Sequence, residues 1–143
     1  MYRDELQKLE GVWVGTERGT DAGQLFEAQT RLVFQTVFDG KFLVCDYVQS
    51  AGPGAASVGH GVFRKDDRTD ALSVSWFRSP VATGSQQTEA VAEGDRMIFV
   101  ETIDGRSTRA TYTVAFDKLT VRTETSLRGG EWTTILEGTF RRR

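Results

Sequence analysis

The 143-residue chain has one cysteine, one histidine and two prolines, and each shortage closes off a class of protein. With Cys45 alone no intramolecular disulfide can form, so a secreted disulfide scaffold is excluded and the thiol reads as a small apolar side chain. One histidine beside one cysteine makes neither a metal-ligand cluster nor a Ser/His/Asp or Cys/His set, and no Gly-x-Gly-x-x-Gly or phosphate-loop motif occurs. No metal and no cofactor are therefore expected. No apolar run reaches the roughly 18 residues of a membrane span, and Met1-Tyr2-Arg3-Asp4-Glu5 is not an apolar signal core. A cytoplasmic location without membrane association is expected. Net charge is -2 with both signs interspersed, which gives no field for nucleic acid. The basic run Arg141-Arg142-Arg143 reads as a solvated tail.

What is present is apolar, aromatic and evenly charged. Hydrophobic residues make up 38% and charged residues 27% of the chain, with nine Phe, three Trp and three Tyr, the makings of one folded domain over 1–143. Tyr2, Leu6 and Leu9 recur at i, i+4 and i+7 behind Asp4, a candidate N-cap, which predicts a short N-terminal helix. From residue 11 onward, alternating segments rich in Val, Ile, Thr and Phe are divided by turn dipeptides such as Asp39-Gly40, Gly94-Asp95, Asp104-Gly105, Asp117-Lys118 and Gly129-Gly130. This predicts an all-β chain of ten strands near 11–19, 25–37, 41–50, 56–64, 71–79, 84–92, 96–103, 106–116, 119–127 and 131–141. No helix long enough for a parallel crossover separates them, so neighbours pair as hairpins and the sheet must close or fold over itself; an antiparallel up-and-down barrel is the expected form.

Opposed residues of a hairpin share a face, and a two-residue turn fixes which residues are opposed. The C-terminal turns then place Ala90 opposite Phe99, Phe99 opposite Ala110, Met97 opposite Tyr112, Phe116 opposite Leu119, Leu127 opposite Trp132, and Thr123 opposite Leu136. One interior face runs through Met97, Phe99, Tyr112, Val114, Phe116, Leu119, Val121, Trp132, Leu136 and Phe140. The other face carries Arg109, Thr111, Arg122, Glu124 and Glu137, with Ile98, Val100 and Ile135 as apolar exceptions. In the second strand Phe26, Leu32, Phe34 and Phe38 face inward. Beyond Asp39-Gly40, a two-residue turn sends Leu43, Cys45 and Tyr47 inward, and a three-residue turn sends Phe42, Val44 and Asp46; both remain open.

Gly11-x-Trp13 on the first strand, after a short helical lead and before a run of hairpins, resembles the calycin superfamily of lipocalins and fatty-acid-binding proteins. The resemblance implies a ten-stranded calycin-like barrel, with Trp13 at its closed floor under a late arginine. Arg141 is the expected counterpart and Arg142 the alternative. Leu9-Glu10-Gly11-Val12-Trp13-Val14-Gly15, Phe38-Asp39-Gly40-Lys41-Phe42-Leu43 and Gly59-His60-Gly61 with Ser75-Trp76-Phe77 look like a bacterial family of lipocalin-like domains of unknown function. Gly-x-Trp-x-Gly is also similar to nitrobindin, whose resemblance would imply haem held by a histidine near the C-terminus. The last strand, Trp132 to Phe140, has no histidine, so haem is disfavoured.

Strand direction puts Trp13, Phe116, Leu119 and Phe140 at one end and the polar inward residues at the other, the pattern of a lumen open at one mouth. The candidate lining is Glu101, whose inward carboxylate must find partners, with Thr88, Thr125, Tyr112, His60, Trp76 and Arg78. Each has a bland alternative: a hydrated rim for Glu101, a structural hydrogen bond for His60, and a guanidinium snorkelling over Trp76 for Arg78. The resemblance to fatty-acid-binding proteins implies that Arg78 could meet a ligand carboxylate. The expected function is non-covalent binding of a small apolar or amphipathic molecule, without catalysis. The alternatives are an isomerase or hydrolase using Glu101 or His60, and a filled barrel that binds a partner; a homodimer is compatible with each.

Overall fold

The computed structural model describes residues 6–21, 23–50, 57–69, 71–79 and 86–143, the side chains of residues 21, 79 and 86–93 excepted. The strands are β1 (Gly11–Asp21), β2 (Gln24–Val37), β3 (Phe42–Ser50), β4 (Ser57–Lys65), β5 (Leu72–Ser79), β6 (Gln86–Glu93), β7 (Arg96–Ile103), β8 (Arg106–Ala115), β9 (Lys118–Leu127) and β10 (Thr133–Arg142). Each pairs antiparallel with its neighbour in the chain, and β1 also pairs with β10, so the ladders close an all-β barrel. Among the described residues no helix is long and apolar enough to cross a membrane. The short N-terminal helix expected from Tyr2, Leu6 and Leu9 is corrected: its start lies outside the described residues, and what is described is one turn. There the Leu9 amide donates to the Leu6 carbonyl at 3.0 Å before β1 takes over the backbone hydrogen bonding.

Alternation does the sorting. Along β2, Ala28, Thr30, Leu32 and Phe34 are buried while Glu27, Gln29 and Arg31 are exposed, as a pleat with one wet face requires. The inward set propagates through Leu43 and Cys45 on β3, Phe63 on β4, Leu72 and Val74 on β5, Met97 and Phe99 on β7, Tyr112 and Val114 on β8, Leu119 on β9 and Phe140 on β10. Ala90 opposes Phe99, Phe99 opposes Ala110, Met97 opposes Tyr112 and Thr123 opposes Leu136, as the turn parities require. Between β2 and β3 the loop has four residues, with Val37 opposite Phe42. That keeps the parity of a two-residue turn and sends Leu43, Cys45 and Tyr47 inward.

Three inward assignments are corrected. Phe116 is 97% exposed because it occupies a left-handed position (φ 55°) in the turn Phe116-Asp117, one residue earlier than expected, so Val114 opposes Leu119. Moving the turn centre by one residue changes the partner by two, so the rest of the face is untouched. Phe38 likewise lies in its loop at φ 52° and is exposed. Trp132 precedes β10 rather than pairing with Leu127, and the Arg109 guanidinium lies 4.1 Å over its ring. A register shift between Thr134 and Leu136 then restores the expected partners.

The floor is built around Trp13, which is fully buried and donates its indole N–H to the Leu9 carbonyl at 2.7 Å. Arg142 lies over the ring with its guanidinium carbon 4.2 Å from the centroid, and donates to the carbonyls of Glu10 and Lys8, the latter at 2.8 Å. The expectation for Arg141 is corrected: Trp13 stands opposite Arg142 in the ladder, whereas Arg141 points out, 3.7 Å from Asp117. Replacing Arg142 with alanine removes the cation–π contact and two charge-assisted hydrogen bonds. Arg142→Ala is expected to lower stability by about 1–3 kcal/mol in urea denaturation. Arg141→Ala should stay within about 0.5 kcal/mol of the parent; equal losses would contradict this floor.

Candidate functional site

The lower half of the barrel is filled by aromatic rings. Phe63 contacts Phe34, Trp76, Phe99 and Tyr112 with centroids 5.6–5.9 Å apart, mostly edge to face, the arrangement the ring quadrupole favours. Above this layer the side chains shrink to Ala110, Val121 and Thr123, and a cavity of about 510 Å³ opens. Its base is Leu32, Phe99, Tyr112 and Phe140, and Arg78, Glu101, Asp104 and Arg106 stand round its mouth. Gly61 allows Trp76 to lie across β4, since a Cβ there would come within 2.9 Å of the indole. Arg78 sits beyond Trp76, with its guanidinium carbon 5.5 Å from that ring.

One wall holds a buried acid. Glu17 is 3% exposed, and its Oε1 accepts hydrogen bonds from the Thr30 hydroxyl at 2.6 Å, the Tyr47 hydroxyl at 2.6 Å and the Gln49 amide at 3.1 Å. Its Oε2 has no donor among the described residues, and the side chain forms part of the cavity wall. Burial, followed by the charge of Glu17 and the hydrogen bond to it, pushes the Tyr47 phenol well above its ordinary range. Burial does the same to Tyr112 and to the Cys45 thiol, which leaves that thiol a packing group.

The structure brings Glu101, Trp76, Arg78 and Tyr112 together round one cavity. Thr125 is half-buried opposite Thr108, which lines the cavity. The Thr88 side chain lies outside the described residues, although its backbone pairs with Val74. His60 is corrected as a lining residue. In the register of β3 and β4, Gly59 and Gly61 face inward opposite Tyr47 and Cys45, so His60 lies on the outer face, its Nδ1 2.9 Å from Asp46 Oδ1.

Glu17, Thr30 and Gln49 were not among the expected lining residues. The signal existed: Glu17 lies four residues after Trp13 on one strand, hence on the same face. Among the described residues no group of three or more His, Cys, Asp or Glu gathers to hold a metal.

No protein-family model and no curated protein matches the chain by sequence. Solved structures share its fold. Rv2717c from M. tuberculosis superposes with a TM-score of 0.73 at 18% identity, over 99% of this chain and 97% of that one. The S-type phycobiliprotein lyase CPES from Guillardia theta superposes at 0.69 and 13% identity, over 98% and 91%. EF1p2_mFAP2b, solved bound to DFHBI, superposes at 0.56 and 14% identity over the whole of both chains. The chain has a lipocalin-like, calycin-type β-barrel fold.

Two desolvated phenols, Tyr112 buried and Tyr47 half-buried, make the barrel sensitive to alkali. Unfolded tyrosines ionise near about pH 10, whereas Tyr47 and Tyr112 stay protonated in the folded barrel, so above that pH only the unfolded state releases their protons. Stability is therefore fully present below about pH 10 and falls as pH rises further. In a Tyr2→Phe background, where Tyr47 and Tyr112 are the only tyrosines, tyrosinate absorbance should rise in the same transition in which near-ultraviolet circular dichroism is lost. Ionisation of both phenols in a still-folded barrel would contradict their burial.

Proposed function

We propose that this barrel binds a small, largely apolar molecule non-covalently in its lumen. The observation that carries the reading is the cavity of about 510 Å³, apolar at its base and edged by a few convergent polar groups. Small-molecule sites have this size and character, because apolar walls supply affinity while sparse polar groups fix orientation. A barrel meant only as a stable body would be filled, since every unfilled volume forfeits dispersion contacts. Trp76, Tyr112 and Phe99 offer flat apolar surface, while Arg78 and Glu101 offer charge near the mouth. Two fold neighbours support the reading in outline, one called a phycobiliprotein lyase and one bound to DFHBI.

Nile red, an uncharged dye that brightens in apolar surroundings, tests this directly. The protein should bind it saturably, and Ala110→Trp, which places an indole in the cavity, should weaken binding roughly tenfold or more. His60→Ala, on the outer face, should leave binding unchanged. Saturable binding that Ala110→Trp leaves intact in a folded barrel would place the dye elsewhere and overturn the reading.

A further inference from the structure

We propose that the molecule held in this lumen carries a cationic N–H head, a protonated amine or amidine, and that Glu17 seats it. The inference rests on the binding reading above and specifies the chemistry of one wall of the lumen. It starts from an imbalance. Thr30, Tyr47 and Gln49 all donate to Oε1 of Glu17, leaving Oε2 without a donor among the described residues, in a side chain that is 3% exposed and walls the cavity. Buried carboxylates are ordinarily paired or fully hydrogen-bonded, because desolvation without a partner is costly. Here the carboxylate forms part of the cavity wall.

The charges round the cavity favour a cation there. Among the described lining residues three acids, Glu17, Glu101 and Asp104, stand against two arginines, Arg78 and Arg106. The three groups that donate to Glu17, Thr30, Tyr47 and Gln49, are neutral, and none of the ion pairs among the described residues involves it. The apolar base of Leu32, Tyr112 and Phe140 suits a chain or ring attached to that head. Water is excluded as the ligand body fills the lumen, and a charge-assisted N–H···O bond strengthens in such surroundings.

Displacement of Nile red by ten-carbon chains with different heads separates the possibilities. Decylammonium should bind roughly tenfold to a hundredfold more tightly than decanol, and decanoate no better than decanol. Decyltrimethylammonium, a cation without an N–H, should also gain little over decanol, which distinguishes a hydrogen-bonded seat from attraction to the rim. Glu17→Gln retains the Oε1 acceptor used by Thr30, Tyr47 and Gln49 but turns the opposite position into a donor. It should keep the circular dichroism of the parent and lose the preference for decylammonium.

Decanoate binding as tightly as decylammonium, equal binding of the ammonium and trimethylammonium heads, or an unchanged preference in folded Glu17→Gln would each overturn the inference while leaving lumen binding intact. If Glu17→Gln does not fold, the ranking of the four heads on the parent protein decides. Failure of all four to displace the dye would overturn this inference, whereas the binding reading stands or falls on Nile red and Ala110→Trp.

Discussion

Everything in this barrel depends on how closely the first strand approaches the last. The inward positions of β1 read Gly11, Trp13, Gly15, Glu17 and Gly19, and Gly15 and Gly19 stand where the backbone of β10 comes nearest. A Cβ on Gly15 would lie 1.9 Å from the Thr139 carbonyl oxygen, and one on Gly19 would lie 2.4 Å from that of Ile135. These are backbone atoms that cannot rotate away, so a side chain at either position would force the closing ladder apart. Closure removes the free edges that an open sheet would present. It also sets the two large inward residues of β1 at different depths, Trp13 at the floor and Glu17 half-way up the wall.

That depth ordering divides the interior into two zones with different physics. Below, Trp13 is sealed by Arg142 from outside and by rings packed about Phe63 from within. Dispersion and area burial make this the stabilising half. Above, inward positions are held by Ala110, Thr108, Thr123 and Val121, too small to meet across the barrel, and the space stays open. Gly61 links the zones by letting Trp76 lie flat beside the cavity instead of projecting into it. A barrel of the same strand order with larger residues on β8 and β9 would be filled and would have no use for a buried acid.

The sequence made the closed half legible and the open half only partly so. Parity arguments survive errors in turn position, which is why the misplaced turn at Phe116 cost one residue and not the whole face. They also survive the register shift near Ile135, because the strand returns to its expected partners at Leu136. They fail at strand ends and loops, where Phe38, Phe116 and Trp132 escape the alternation. Arg141 and Arg142 differ by a single step of that alternation, and with Phe140 inward it is Arg142 that returns to the inner face. His60 was drawn in by its chemistry, because the open choice at the Asp39-Gly40 turn left the facing of β3, and with it β4, unset. Glu17 is hard to read for the opposite reason: a charged residue among glycines looks like a solvated one.

The placement of Glu17 bears on function because it runs against stability. Tyr47, Thr30 and Gln49 come from β2 and β3 and converge on one carboxylate oxygen, so three inward side chains are committed to holding an acid in position. An apolar residue there, packed against Leu32 and Phe140, would have removed the desolvation cost and the need for three polar partners. The hydrogen bonds also limit the rotamers open to Glu17 and Tyr47, which preorganises the wall before any molecule arrives. Stability alone gives no reason to build a costly, rigid, one-sided carboxylate beside an open volume. Recognition does, because the acid forms part of the cavity wall and one of its oxygens has no donor among the described residues.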